Sequence, residues 1–406
     1  MVSKKFLFTI FLCYAILGLC APVVSCIWPE IAKEIAVDAS LIGIVVTLNC
    51  FASGISSFIA FKVRHKLGTN YTNVFGLVCF AIAMIMFIHI KSFSIVIAAM
   101  IILGLGNGLI DINSNSYVVK AYDAKWVSFM HACWGFASTI GPIIMSAAII
   151  YTPTYKNGFK MILALIIITI IILLILKMKW IKQKQFLDQD TIDLHSVTEE
   201  EKNSELSISD VLKTKGVAEM LTCFTFANGA GCAMLAWLAT IVVAQKGISV
   251  VEGAAAVTAF SFALMMGRIG IGFVVDKIGI QKMIKILALL VFVFILTLFI
   301  PYKSVYMIYI NAALIGFMCG PITPLLNSNL KELFDKKILG ELISLGGVCS
   351  LLGVSAISVL MTFASKVISI NYIQIIPATG FLLLFIIYSK IVKKVNGREA
   401  QCSKTS

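Results

Sequence analysis

Long apolar runs separated by short polar segments dominate the chain. A helix that crosses a membrane needs about 20 mostly apolar residues, and twelve segments meet this requirement. They lack the alternation of apolar and polar residues that is typical of membrane β-barrel strands. The predicted spans lie near residues 6–28, 40–61, 71–90, 93–118, 127–151, 158–179, 217–244, 252–275, 283–300, 304–326, 338–364 and 370–391. We therefore expect an all-α polytopic membrane protein.

The composition supports a membrane protein and narrows its chemistry. Hydrophobic residues make up 60% of the chain and charged residues 13%, against about 45–50% and about 25% in a typical soluble domain. A soluble enzyme, a secreted disulfide scaffold and a disordered protein are therefore excluded. The 11 cysteines form no C-x-x-C pair, and the histidines show no metal-ligand spacing. We expect no metal, no other cofactor and no enzymatic activity.

The net charge of +13 predicts an orientation. The basic residues form short clusters between spans and do not gather on one soluble face, so no nucleic-acid partner is expected. With both termini in the cytoplasm, about 25 basic residues lie on the inner side and about 7 on the outer side, as the positive-inside rule requires. The charge bias predicts an orientation in the plasma (inner) membrane with the basic segments in contact with anionic lipid. We expect the protein to be a monomer.

The N-terminus offers an alternative, because Lys4-Lys5 and the apolar run after them resemble a signal peptide. The segment Val23-Val24-Ser25-Cys26 is similar to a lipoprotein cleavage site. Cleavage would leave eleven spans and place the basic C-terminal tail outside, against the charge bias. We therefore expect the segment to be retained as the first helix.

The chain divides into two related halves. A polar stretch between the sixth and seventh spans predicts an N-terminal half (1–181), a cytoplasmic linker (182–212), a C-terminal half (213–395) and a tail (396–406). Shifts of 211 and 212 residues align identical residues, which indicates an internal duplication. The pairs are Gly68/Gly279, Thr47/Thr258, Phe51/Phe262, Gly104/Gly316, Gly108/Gly320, Asn115/Asn327, Asp123/Asp335, Lys125/Lys337, Gly135/Gly347, Ser138/Ser350 and Gly141/Gly353. Two pseudo-symmetric six-helix halves are typical of secondary transporters with a binding site between them.

The loops after the second and eighth spans resemble a signature of the major facilitator superfamily. The second copy contains Gly272, Asp276, Lys277 and Gly279 in the pattern G-x-x-x-D-K/R-x-G. The first copy keeps Lys66 and Gly68 but has a histidine in place of the acid. In that superfamily the loop belongs to the charge contacts that steady the outward-facing state. The resemblance implies the major facilitator fold and a gating role for these loops.

The fourth and fifth predicted spans contain the strongest candidates for a functional site. Asn107, Asp111 and Asn115 recur every four residues and share one helical face. Asp111 and His131 are equally far from the intervening turn, so an antiparallel hairpin places them at one depth. Charged groups inside a membrane are costly and are usually functional. We expect Asp111 and His131 to carry a proton, although Asp111 could instead fix helix packing.

These two spans also resemble the fucose–galactose–glucose–proton symporter branch of the superfamily. The shared elements are G-x-G-x-G-x-x-D-x-x-x-N in the fourth span and His-x-x-x-Gly with Gly-Pro in the fifth. The resemblance implies proton coupling at Asp111 and sugar contacts from amide and aromatic side chains. The chain departs from that branch at two positions where an acid would be expected. The first span has no acid within its apolar run, since Glu30 lies beyond its outer end. In the seventh span, Gly231 takes the place of an acid six residues before Trp237.

Other polar and aromatic groups at membrane depth are candidates for binding a small polar solute. They are Asn49, Trp134, Asn228, Trp237, Asn311 and Asn327. Each asparagine could instead bridge helices, and Trp237, like Trp28, could be an interfacial anchor. Arg268 lies near the inner end of the eighth span, where snorkelling to the surface is expected. Gly320-Pro321 and Pro324 predict a bend in the tenth span.

The sequence therefore predicts a transporter for a small-molecule substrate and H⁺, most simply a symporter that takes up a sugar. A proton-coupled exporter is the alternative, because Gly141-Pro142 partly matches the antiporter element G-x-x-x-G-P-x-x-G-G. A receptor on the same fold is a third interpretation. It would be expected to contain a longer cytoplasmic domain than this linker.

Overall fold

The computed structural model describes residues 4–121, 124–152, 154–176, 208–271, 273–301, 304–335 and 338–405. The first half contains six candidate membrane spans, which confirms the predicted number. Spans 1 to 6 are Leu7–Cys26, Ala39–Ala60, Lys66–Ile88, Phe93–Val118, Phe129–Tyr151 and Lys156–Ile175. The underlying helices are Lys4–Cys20, Val23–Cys26, Trp28–Glu34, Ile42–Ile88, Phe93–Ala121, Ala124–Tyr151 and Lys156–Ile175, with a 3₁₀ turn at Ala39–Leu41.

The second half contains the other six spans. Spans 7 to 12 are Val217–Lys246, Val250–Ile271, Ile280–Phe299, Val305–Leu333, Glu341–Ile368 and Ile375–Lys393. The helices are Ile208–Lys213, Val217–Lys246, Val250–Ile271, Val275–Ile278, Ile280–Leu296, Val305–Cys319, Ile322–Leu333, Leu339–Ile368 and Ile375–Thr405, with a 3₁₀ turn at Thr297–Phe299. The predicted bend in span 10 is confirmed, because its helix breaks between Cys319 and Ile322. Most of the predicted linker lies outside the described residues.

Glycines pack the two halves in the same way. A methyl group at Gly104 would lie 2.3 Å from the carbonyl oxygen of Asn49, and one at Gly108 would lie 2.2 Å from that of Ser53. In the second half, a methyl group at Gly316 would lie 2.2 Å from the Phe260 oxygen. A methyl group at Gly320 would lie 2.3 Å from the Leu264 carbonyl oxygen. The contacted residues are also 211 apart, so the duplication extends to helix contacts that only glycine allows.

The main contacts between the halves are those of span 2 with span 11 and of span 5 with span 8, and span 7 also meets the end of span 1. We call the side on which span 1 begins and span 12 ends the terminal side. The contact between spans 2 and 11 lies at the opposite side. There Thr47 donates a hydrogen bond to the Ser355 carbonyl oxygen at 3.1 Å, and Thr362 donates to that of Ser40 at 2.9 Å. The bundle is thus closed at the opposite side.

Candidate functional site

A tyrosine, a carboxylate and an imidazole meet inside the first half, each on a different span. Tyr14 of span 1 and Asp111 of span 4 each lie seven residues from the terminal-side end of their span, which is about 10 Å at the helical rise. The Tyr14 hydroxyl donates a hydrogen bond to the Asp111 carboxylate. The His131 ring of span 5 meets the Tyr14 ring edge-on, with centroids 5.5 Å apart and an interplanar angle of 84°. Tyr14 therefore contacts both predicted residues, Asp111 through its hydroxyl and His131 through its ring.

The cluster lies close to open space. Tyr14 is buried, Asp111 is half-buried and His131 is exposed. An ionised carboxylate removed from water is costly unless donors compensate it, and the tyrosine hydroxyl is such a donor. Tyr14 is not among the residues predicted from the sequence, because one hydroxyl within an apolar run is an ordinary feature of membrane helices. Its depth, equal to that of Asp111, was the available signal.

Arg268 of span 8 belongs to the same central region, and the expectation that it snorkels to the surface is wrong. Its Nε donates a hydrogen bond to the Gly320 carbonyl oxygen at 3.2 Å. Its guanidinium carbon lies 5.8 Å from the ring centroid of Trp134 on span 5. Leu264, one turn before Arg268 on span 8, packs against Gly320. To reach the Gly320 carbonyl, the Arg268 side chain therefore extends back by about one turn, toward the middle of the bundle. Arg268 therefore joins the two halves at depth.

The broken helix of span 10 explains this position. In a regular helix the carbonyl of residue 320 would accept a hydrogen bond from the N–H of residue 324, but Pro324 has no N–H. The Gly320 carbonyl is left without its helical partner, and Arg268 supplies the donor. The Trp134 ring then provides a favourable face for the cation. Proline spacing was the sequence signal for this contact, although by itself it predicts only a bend.

Span 7 provides the wall beside Arg268. The Cys232 thiol donates to the Asn228 amide oxygen at 3.8 Å. Cys232 is exposed and Asn228 is half-buried. His131 and Trp134 lie about one turn apart on span 5 and contact Tyr14 and Arg268, respectively. The Asp111 cluster and Arg268 therefore face one shared region between the halves.

The other predicted binding residues separate into two groups. Asn107 and Asn115, one turn to either side of Asp111, are half-buried, and Asn327 is exposed. Their role in binding stays a prediction. The Asn49 amide instead donates to the Met100 carbonyl oxygen at 3.1 Å, which links spans 2 and 4. Asn311 is buried, and neither polar atom of its amide has a partner among the described residues.

Two tryptophans that could have been interfacial anchors are core residues. Trp237 and Trp28 are both fully buried, and the Trp28 indole donates to the Ala39 carbonyl oxygen at 2.6 Å. An interfacial anchor would present its ring to the lipid headgroups, so that interpretation is wrong for both. Trp134, in contrast, is half-buried beside the site.

The two signature loops share a backbone conformation. Gly68 has φ 80° and ψ 167°, and Gly279 has φ 85° and ψ 141°. These left-handed values strongly favour glycine. Lys66, Asp276 and Lys277 are exposed on the terminal side. Gly272 lies outside the described residues, and the gating role of these loops stays a prediction.

An additional polar cluster lies at the opposite side. Glu34 accepts hydrogen bonds from Tyr155 and from Lys156, which is 2.5 Å away. Partial burial acts to raise the pKa of Glu34, but the bonds from Lys156 and Tyr155 and the lysine charge outweigh it and lower the pKa. Burial, reinforced by Glu34, raises the pKa of Tyr155. The cluster fixes the helix after span 1 to the connection between spans 5 and 6.

Comparisons with known proteins agree with this architecture. The sequence model of the Major Facilitator Superfamily matches residues 10–304 and 220–401. No curated protein sequence matches the chain. The crystal structure of a D-xylose–proton symporter is similar with a TM-score of 0.78 and 14% identity, covering 95% of this chain and 97% of that one. A mutant of the nucleoside transporter NupG is similar with a TM-score of 0.70 and 12% identity, over 96% and 100% of the two chains. The chain is thus a twelve-span integral membrane transporter that belongs to the major facilitator superfamily.

Proposed function

We propose that the chain couples proton movement to the uptake of a sugar or a similar small polar solute. The observation that carries this proposal is the cluster of Tyr14, Asp111 and His131, a titratable group at membrane depth beside the boundary between the halves. A carboxylate kept at such depth is expected to have a function. The D-xylose–proton symporter among the structural neighbours is consistent with this substrate class.

The proposed coupling acts through the hydrogen bond of Tyr14. While Asp111 is ionised, Tyr14 donates to it and ties span 1 to span 4. When Asp111 takes up a proton, its charge disappears and the need for a donated hydrogen bond weakens. Spans 1, 4 and 5 then repack around the occupied site. Proton binding and the change of access are thereby linked, which is the requirement for coupled transport.

The proposed orientation places both termini in the cytoplasm of a cell with this protein in its plasma membrane. The basic residues are concentrated on the terminal side, which the positive-inside rule assigns to the cytoplasm. The contacts of Thr47 and Thr362 close the opposite, outer side. In the proposed orientation, closure at this side belongs to the inward-facing part of an alternating-access cycle.

Reconstitution into vesicles with an imposed pH gradient tests the proposal. We expect gradient-driven accumulation of a labelled sugar or related polar solute, which Asp111→Asn abolishes while substrate exchange persists. Asp210→Asn is the control, because Asp210 forms an exposed pair with Lys213 at 3.6 Å and such pairs contribute little. Normal pH-driven uptake by Asp111→Asn would refute the coupling. Extrusion of hydrophobic dyes alone would instead indicate an exporter.

A further inference from the structure

Among the described residues, Arg268 is a charged group of the central region that the proposed coupling does not use. A guanidinium group stays protonated at every physiological pH, so Arg268 does not itself carry the coupled proton. Removing such a cation from water is costly, so it is retained at depth only for a reason. The contacts of Arg268 are the Gly320 carbonyl oxygen and the Trp134 ring.

These contacts leave the positive charge without a negative partner. In the part of the chain that the structure describes, no carboxylate lies within ion-pair distance of Arg268. The nearby Asp111 carboxylate is hydrogen-bonded by Tyr14. A carbonyl and an aromatic ring both attract a cation, but neither has a net charge. When Asp111 takes up its proton, the site is therefore left short of one negative charge.

The same contacts hold the guanidinium group ready to bind. The Nε–H is used by Gly320, which leaves the N–H groups of the two terminal nitrogens. Because the Gly320 carbonyl and the Trp134 ring fix the side chain from both halves, little side-chain entropy is lost when a ligand binds. The terminal nitrogens match a carboxylate, which can accept two parallel hydrogen bonds from them.

We propose that the substrate is a small hydroxylated monocarboxylate, of the sugar-acid type, whose carboxylate binds Arg268. This inference rests on the proposed transport function and specifies its substrate class. A single negative charge balances the single fixed cation, whereas a phosphate dianion would be expected to need a second one. The Asn228 amide group is available for the hydroxyl groups.

Cys232 provides a built-in probe of this site, because it is exposed and its neighbour Gly231 packs against Cys319, next to the Gly320 acceptor of Arg268. The rate of its modification is measured with an anionic and a cationic thiol reagent of equal size, and Cys232→Ser corrects for the other cysteines. In the unmodified protein the anionic reagent should be favoured. Arg268→Gln should lower the ratio of the two rates, whereas Arg268→Lys should largely keep it. Lys282→Gln, on the exposed terminal side, is the control.

Ligand binding is measured by protection of Cys232 and by the shift in Tm, without a pH gradient. The panel is glucuronate, gluconate, glucose, glucitol, glucose 6-phosphate and inorganic phosphate. We expect the two carboxylates to protect at concentrations at least tenfold below their neutral counterparts. Loss of a charge-assisted hydrogen bond in Arg268→Gln should weaken carboxylate binding by about 10- to 100-fold.

Several results would overturn the inference. Equal protection by glucose and glucuronate would show that Arg268 does not select an anion, and this comparison needs no variant that has to fold. Stronger protection by the phosphates would assign the site to a different anion. Unchanged glucuronate binding in Arg268→Gln would also refute it. Because binding is measured without a gradient, proton-driven uptake of a neutral sugar would leave the proposed function intact and remove only this inference.

Discussion

Gly43 controls how closely the two halves approach at the opposite side of the bundle. A methyl group at Gly43 would lie 2.1 Å from the Ser358 carbonyl oxygen and 2.1 Å from the Thr362 hydroxyl oxygen of span 11. Ordinary van der Waals contact begins at 3.4 Å, so Gly43→Ala must separate spans 2 and 11 locally by about 1.3 Å. Overpacking of this kind costs about 1–3 kcal/mol.

This cost falls on the conformation that is closed at the opposite side. A conformation in which spans 2 and 11 separate there avoids the clash, so Gly43→Ala should shift the equilibrium toward it by about 5- to 150-fold. The assay is the rate of Cys232 modification by a reagent added from the terminal side, which should decrease. Gly54→Ala is the matched control on the same helix, since a methyl group there meets nothing within 4 Å. Equal rates in the two variants would refute the reasoning.

Three other perturbations test separate parts of the structure. Tyr14→Phe keeps the ring but removes the donor to Asp111. Because hydrogen bonds to charged groups contribute about 1.5–3 kcal/mol, the initial rate of proton-driven uptake should fall at least tenfold. An unchanged rate would contradict the coupling role. Lys156 and Tyr155 lower the pKa of Glu34. The ionised Glu34 therefore stabilises the fold above its ordinary pKa of 4.5, and this stabilisation is lost as the pH falls below that value. Lys156→Gln should therefore reduce the acid-induced decrease in Tm. Gly279→Ala should lower Tm, since left-handed backbone costs about 1–3 kcal/mol without glycine, whereas Gly347→Ala, with open space around it, should not.

The sequence was sufficient to predict the architecture because lipid imposes a length and an apolar composition on each span. The bounds that differ have local reasons. Span 3 begins at Lys66 and not near residue 71, because the helix Ile42–Ile88 runs through the loop with a kink at Gly68. Span 10 extends to Leu333 because its last turns, although polar, continue as the helix Ile322–Leu333 after the break.

The site was only partly predictable, because spacing gives depth along one helix but not the rotation of its neighbours. Asp111 and His131 were identified from the rarity of ionisable groups in a span. Tyr14 required knowledge of which face of span 1 meets span 4. Arg268 was misinterpreted because its distance from the helix end suggests snorkelling, whereas its actual direction is set by a carbonyl that Pro324 leaves unpaired on another helix.

The two halves have kept their packing and have diverged in chemistry. Gly108 and Gly320 make the same backbone contact in both halves, because any side chain there would force the helices apart. At the shifts that align these glycines, Asp111 corresponds to Thr323 and Arg268 corresponds to Ser57. The acid therefore occurs only in the first half and the cation only in the second, on opposite walls of one site. The two proposals assign the proton to the wall with the acid and the carboxylate to the wall with the cation, a division that a symmetric duplication would not provide.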